Sequence, residues 1–469
     1  MITKLVGCPS DSLPGYLKAL GTFRVLNEQT DEEIRCRWRK GTFQLRSELG
    51  REGVVGFFLN DYAPSTVMGP WSSGEFFRED DDRPWNPNGS YKLSGDEPKT
   101  RDETSGSRAV VTNFLATSSL RLTRYRQGLR TVLEDLRTHE IDKDGMDDEV
   151  KERFLRRLRG KLDDTFVRFV DTTRLPLPGQ SAINSLLGSG GGNDSRFDYG
   201  VNFMMALWKV LPEFHPDDKG QKERSRNSLR FSLYGEFNEP LLKSDKSSNF
   251  YRPIEAKAPN ATPGKFSGKR RNPWDFVLAL EGTLMLAGAI SRRHGSRSRS
   301  RSSFPFMVDS TAFASRTGTS EEDTIKDLAN QEFWLPLWSE FVTEGELETV
   351  FGEGRLSTGQ SKGSDTIEAR RALSTLSVDR GLDGYERFRI TSGRKGRNLL
   401  SLYEGYVAVP ERAVGTIYWA WSAEDEPFDA IRHARYQLTV LDLTIEEREG
   451  EFPALAARIP NPGAVLDLR

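Results

Sequence analysis

Asn272-Pro273-Trp274-Asp275-Phe276-Val277-Leu278-Ala279-Leu280-Glu281-Gly282-Thr283 opens the segment on which the fold turns. Asn272 is a natural N-cap, Pro273 suits the first helical position, and Asp275 favours the positive end of the helix dipole. Arg292 and Arg293 fall at the negative end, and Gly295 can close the run in a left-handed turn. The pattern therefore predicts a single helix over 273–293. Its nearly all-round apolar character places that helix inside the protein. The apolar run Phe276–Ile290 contains Glu281 and is too short to cross a bilayer, so no membrane partner is expected.

Upstream of this helix, Asp11 and Ser12 are candidate caps for a helix that starts at Leu13 and Pro14. Leu13, Leu17 and Leu20, with Tyr16 and Phe23, recur on one helical face. Trp38–Arg46 and Val54–Leu59 are rich in β-branched and aromatic residues and read as strands. Residues 79–107 are acidic, rich in Pro and Gly and nearly free of aliphatics, as in an exposed loop. Helical periodicity returns over Val110–Leu136 with arginines at 121, 124, 126, 130 and 137, and again over Glu149–Phe169 with a basic face. Between them, His139–Asp148 lacks the glycine and the fifth ligand of a calcium loop. Downstream of the central helix, further helices are expected near 321–328 and 365–376, and strands at Leu399–Val409 and Thr416–Trp421. The expectation is an α+β protein of mixed helices and antiparallel strands in two or three domains, with exposed basic loops. The divisions are 1–175, with the acidic loop near 79–107; 176–300, with a Gly-rich loop and the buried helix; and 301–469.

Composition narrows the function. The 469 residues carry a formal net charge of −2, so no global positive field draws the chain to nucleic acid, and any such contact must be local. Two cysteines, Cys8 and Cys36, suit a reducing cytoplasm, and neither lies in a CxxC pair. The N-terminus has no apolar signal segment. The four histidines are scattered without Cys or Asp companions, so no nucleophile–base pair and no metal site emerges. Gly188–Asp194 lacks the Gly-Lys-Ser/Thr ending of a phosphate-cradling loop, and Gly359-Gln360-Ser361-Lys362-Gly363 lacks the preceding strand of a nucleophile elbow. Glu255-Ala256-Lys257 with Asp245 resembles the carboxylate–x–lysine core of metal-dependent nucleases. That alternative is set against a polar surface segment between Pro253 and Pro259. No enzyme activity and no cofactor are expected.

Basic clusters carry more information. Arg292, Arg293, Arg297, Arg299 and Arg301 are interspersed with serines and glycine, as in a flexible contact with phosphates. The plain alternative is a solvated loop, and a general RNA-binding protein using this run is a further reading. Lys269, Arg270 and Arg271 precede the capped helix directly. Arg387, Arg389, Arg394, Lys395 and Arg397 form a third group.

Several segments are similar, in order along the chain, to the large subunit of type I-G (formerly I-U) CRISPR effector complexes. They are Leu5-Val6-Gly7-Cys8-Pro9 followed by Tyr16–Gly21, Pro70-Trp71-Ser72-Ser73-Gly74, Leu187–Asp194 with Arg196-Phe197-Asp198, and Asn202-Phe203-Met204. Asn272–Phe276 running into Leu280-Glu281-Gly282, Phe304-Pro305-Phe306, Trp334–Trp338 and Val378-Asp379-Arg380-Gly381 complete the series. The resemblance implies a cytoplasmic subunit of an RNA-guided surveillance complex, or Cascade. Its partners would be CRISPR RNA, the backbone and RNA-end-binding subunits, target double-stranded DNA, and a helicase-nuclease recruited to cleave. The subunit would recognise the motif flanking the target and help open the duplex. Gly190, Gly191 and Gly192 would let the backbone approach DNA closely, Asn193 would offer its amide to a base edge, and Arg196 would meet a base or phosphate. Trp71 would serve as a wedge or stacking platform, against the plain reading of core packing. The chain ends soon after Leu441-Asp442-Leu443, earlier than family members, which implies that another polypeptide supplies the small-subunit role.

Overall fold

The computed structural model describes residues 1–65, 107–142, 148–177, 180–183, 199–242, 272–291, 301–309, 331–354, 381–392 and 399–409. The elements at the N-terminus are β1 (Ile2–Pro9), α1 (Leu13–Gln29), β2 (Arg35–Arg39), β3 (Thr42–Arg46) and α2 (Gly50–Asn60). A helical stretch follows: α3 (Ser107–Ala116), α4 (Thr123–Thr138), α5 (Asp148–Arg159) and α6 (Asp164–Thr173). Next come β4 (Arg174–Leu177), β5 (Gln180–Ile183), α7 (Tyr199–Val210), α8 (Gln221–Tyr234) and α9 (Pro273–Thr283). The last described elements are β6 (Ala289–Ser291), β7 (Arg301–Ser303), β8 (Met307–Asp309), β9 (Gln331–Leu337), α10 (Glu344–Glu353), β10 (Gly384–Ser392) and β11 (Leu399–Ala408). Among the described residues every sheet is antiparallel: one of order β1-β3-β2, one of order β11-β10-β9-β8, and two ribbons, β4-β5 and β6-β7. The chain has an α+β fold.

Helices α1 and α9 form its centre. Ser12 caps α1, its Oγ accepting from Gly15 N at 3.3 Å, and Pro14 occupies the first turn. Residues 13–26 are all buried, Lys18 and Arg24 included. Asn272 caps α9 through its Oδ1, which accepts from Trp274 N at 3.1 Å, as its sequence predicts. The two helices cross at Gly21 and Gly282. A Cβ added to Gly21 would lie 1.9 Å from Leu278 O, and one added to Gly282 would lie 1.9 Å from Leu17 O. Only glycine at both positions permits this backbone-to-backbone approach. One hydrophobic cluster surrounds the crossing and draws residues from Leu5 to Ile390.

Several elements depart from the sequence expectation. The helix expected over 273–293 stops at Thr283; a 3-10 turn, Leu284–Leu286, follows, and the chain then enters β6. An all-apolar run is compatible with any buried conformation, so its periodicity did not mark this end. Val54–Leu59, expected as a strand, belongs to α2. There Val54, Val55, Phe57, Phe58 and Leu59 are buried, and Glu52 in the first turn pairs with Arg230 of α8. Trp38–Arg46, expected as one strand, is the hairpin β2-β3. Its turn residues, Lys40 at φ 52° and Gly41 at φ 70°, are both left-handed, the geometry that matches strand twist. The helix expected over Glu149–Phe169 divides at Gly160–Asp163, where Asp163 Oδ1 accepts from the Thr165 and Phe166 amides at 3.2 Å each and starts α6. Val110–Leu136 likewise divides into α3 and α4 around a 3-10 turn at Leu120–Leu122. The strand expected at Leu399–Val409 is β11. The helices expected near 321–328 and 365–376, the strand at 416–421 and the acidic segment near 79–107 lie outside the described residues, apart from Ser107.

Candidate nucleic-acid interface

Alternation along the strands sorts the β1-β3-β2 sheet into two faces. Thr3, Leu45 and Cys36 align across one line and Leu5, Phe43 and Trp38 across another, all buried. This face packs on α1: Tyr16 stacks on Trp38 with centroids 5.1 Å apart, and Phe23 meets Phe43 edge-on at 6.4 Å. The intervening lines face outward. They carry Ile2, Arg46 and Arg35; then Lys4, Gln44 and Arg37; then Thr42 and Arg39. Lys4, Arg35, Arg39 and Arg46 are exposed and Arg37 is half-buried.

The free edge of β2 is closed by residues 338–342. Cys36 N donates to Val342 O at 2.9 Å, Val342 N donates to Cys36 O at 3.0 Å, and Trp38 N donates to Trp338 O at 2.8 Å. Cys36 points into the core and is bridged to Val342, so the neighbouring Phe341 falls on the outer side. The Arg37 and Arg46 guanidinium carbons lie 4.2 and 3.9 Å from its ring centroid. Such cation–π contact holds both guanidiniums in place while leaving their charge intact. Arg37 Nε also donates to Gln44 Oε1 at 3.0 Å.

Charge balance separates this face from much of the helical surface. Arg35, at its margin, pairs with Glu33 at 2.8 Å. Among the described residues, no carboxylate forms an ion pair with Lys4, Arg37, Arg39 or Arg46. Many helical arginines are the reverse, although Arg126 and Arg137 of α4 form no ion pair among the described residues. Arg124 pairs with Asp163 at 2.6 Å, Arg153 with Glu149 at 2.9 Å, and Arg157 with Asp135 at 2.8 Å. Arg121 pairs with Glu213, Arg156 with Glu152 and Arg159 with Asp171. Burial works against the Glu213 carboxylate, but Arg121 outweighs it and holds the acid below its ordinary range. The basic helical faces read from sequence are thus largely neutralised by their own neighbours, whereas the outer face of the sheet is not.

No protein-family model matches the sequence, and no curated protein matches it. Of the residues expected from sequence to meet nucleic acid, Arg301, Arg387 and Arg389 are described: Arg301 opens β7, paired with Ser291 of β6, and the other two lie on β10. Arg387 donates to Glu332 Oε2 through Nε at 3.2 Å and Nη2 at 2.8 Å, and lies over the Trp334 ring at 4.8 Å. Arg389 Nε donates to Glu404 Oε1 at 2.7 Å. Both therefore belong to internal ion pairs. Trp71, Gly190, Gly191, Gly192, Asn193, Arg196, Lys269, Arg270, Arg271, Arg292, Arg293, Arg297, Arg299, Arg394, Lys395 and Arg397 lie outside the described residues, as do Asp245, Glu255 and Lys257. Among the described residues, no group of three or more His, Cys, Asp or Glu side chains is placed to hold a metal ion. No helix among them is long and apolar enough to cross a membrane.

Lys4, Arg37, Arg39 and Arg46 did not emerge as a group from the sequence, because their common face exists only once β1, β2 and β3 pair. The local signal was Arg35-Cys36-Arg37-Trp38-Arg39, a period-two alternation of cation with core residue. A phosphate ester meeting these side chains would find guanidinium donors that no carboxylate among the described residues has paired, the arrangement that favours charge-assisted hydrogen bonds.

Proposed function

We propose that the chain is the large, non-catalytic subunit of a type I-G RNA-guided surveillance complex and that it contacts nucleic acid through the outer face of the β1-β3-β2 sheet. The observation that carries the nucleic-acid part is the set of outward cations, Lys4, Arg37, Arg39 and Arg46, without carboxylate partners among the described residues. In a chain of near-neutral net charge, such a local field attracts a polyanion without making the whole surface adhesive. Assignment to the complex rests on the ordered resemblance of segments along the sequence. On this proposal the chain works in the cytoplasm beside CRISPR RNA and the backbone subunits. Guide pairing supplies the sequence information, and Asn193 and Arg196 read the flanking motif. Cleavage falls to a separate helicase-nuclease.

The test is reconstitution of the complex with and without this chain, with binding measured to target duplexes that carry or lack a flanking motif. The proposal expects loss of motif-dependent duplex binding when the chain is omitted, and no strand cleavage by the chain alone in the presence of magnesium. Equal target binding without the chain, or magnesium-dependent cleavage abolished by Glu255→Ala, would contradict it.

A further inference from the structure

The outer face of the β1-β3-β2 sheet is not uniformly basic. Ile2 and Val6 flank Lys4 on β1, two residues to either side; exposure alternates with burial from Ile2 to Val6, so all three project outward, Val6 at the start of the register shift that follows Leu5. They are 51% and 58% exposed, beside a row of cations. Two β-branched apolar side chains left in water gain little from the phosphate and sugar of a duplex backbone, and a flat sheet face does not reach the base edges in its grooves. Both side chains gain from unpaired bases, whose flat apolar faces are accessible only in a single strand. The polar side chains on the face are also poorly suited to reading bases. Gln44, the amide at its centre, is 5% exposed, and its Oε1 already accepts from Arg37.

The spacing is consistent with this partner. Successive outward positions on β2 are two residues apart, about 6.6–6.8 Å, and neighbouring strands are about 4.8 Å apart. Arg39 and Arg37 thus form a row along β2, Arg46 stands one strand inward, and Lys4 marks the far side. A flexible strand can bend its phosphates onto all four positions. A rigid duplex touches a small flat face along a line. Phe341 fixes two of the three guanidiniums in advance, which lowers the ordering cost of binding.

We infer that this face binds one unpaired nucleic-acid strand, with phosphates on Arg37, Arg39 and Arg46 and bases laid against Ile2 and Val6, without base-specific readout. The inference rests on the nucleic-acid reading above and adds the class of ligand. The experiment uses the full chain and fluorescent oligothymidylate and oligouridylate, each unpaired and annealed to its complement, with affinity read by anisotropy across a salt series. The wild type is expected to prefer the unpaired form of at least one probe. Ile2→Thr/Val6→Thr, which keeps β-branching and charge, should weaken unpaired binding about fivefold and leave the salt slope and duplex binding unchanged. Arg37→Gln/Arg39→Gln should weaken both forms and flatten the slope by roughly one to two. All four side chains lie on the outer face, and an unchanged thermal midpoint excludes misfolding as the cause. A preference for duplex, or no effect of the Thr pair, overturns the single-strand assignment while leaving the nucleic-acid reading in place. Unchanged binding by the Gln pair overturns both.

Discussion

Arg24 and Glu281 are both fully buried and face each other across the α1–α9 crossing. Arg24 Nη2 donates to Glu281 Oε2, and its Nε donates to the Glu281 carbonyl at 3.1 Å. The other carboxylate oxygen accepts from the Tyr62 hydroxyl and from Ser65 N at 3.0 Å. Burial works against the charge on Arg24, but Glu281 and Glu28 outweigh it and keep its pKa above the ordinary guanidinium value. Burial pushes Glu281 up from the usual carboxylate range against the pull of Arg24, Tyr62 and Ser65. Such a pair adds little net stability when intact but is costly to break, because the surviving charge has no water. Arg24→Met should therefore destabilise the protein by about 3–5 kcal/mol in urea unfolding, and Arg24→Met/Glu281→Leu should recover most of that loss. A single-variant loss no larger than about 1 kcal/mol, the value of a surface pair, would show that the pair is not isolated from solvent. In the sequence, Glu281 stood out as the one acid in an apolar run. Its partner, 257 residues earlier, had no local signal.

At the scale of elements, what the sequence made legible was what short-range chemistry encodes. Ser12 with Pro14 and Asn272 with Pro273 mark the starts of α1 and α9 through groups only a few residues away. What it left obscure depends on distant partners: the end of α9, the helical state of α2 and the hairpin at Lys40-Gly41 are all settled by packing or by turn geometry. Gly21 is a case where the two scales disagree in sign. Helix propensity alone favours Gly21→Ala by about 1 kcal/mol. The added methyl, however, would lie 1.9 Å from Leu278 O and 2.7 Å from Gly282 N, both backbone atoms that cannot step aside independently. The clash should win, with net destabilisation of about 1–3 kcal/mol measured as a lower urea midpoint at unchanged m-value. A midpoint at or above wild type would mean that the helices do not meet at these glycines.

Across the whole molecule, a near-neutral net charge conceals two kinds of cation. Arg124 on α4 and Arg153, Arg156, Arg157 and Arg159 on α5 pair with acids on the same or a neighbouring segment, as Arg153 does with Glu149. Those on β1, β2 and β3 are brought to one face by pairing between strands, and Cys36 and Trp38 fill the alternate positions that face the core. Counting charges along the sequence drew attention to clusters such as Arg387 and Arg389, which the fold pairs with Glu332 and Glu404, and passed over a sheet face that it leaves open. The direct measurement compares two triple variants with the same change in net charge. One is Arg37→Gln/Arg39→Gln/Arg46→Gln on the sheet; the other is Arg124→Gln/Arg153→Gln/Arg156→Gln on the helices. Binding to oligothymidylate is followed by anisotropy as salt is raised. The sheet triple should flatten the log K against log salt slope by about two, and the helix triple should leave it as in the wild type. Equal effects of the two triples, or a larger effect of the helical one, would contradict the assignment of the nucleic-acid contact to this sheet.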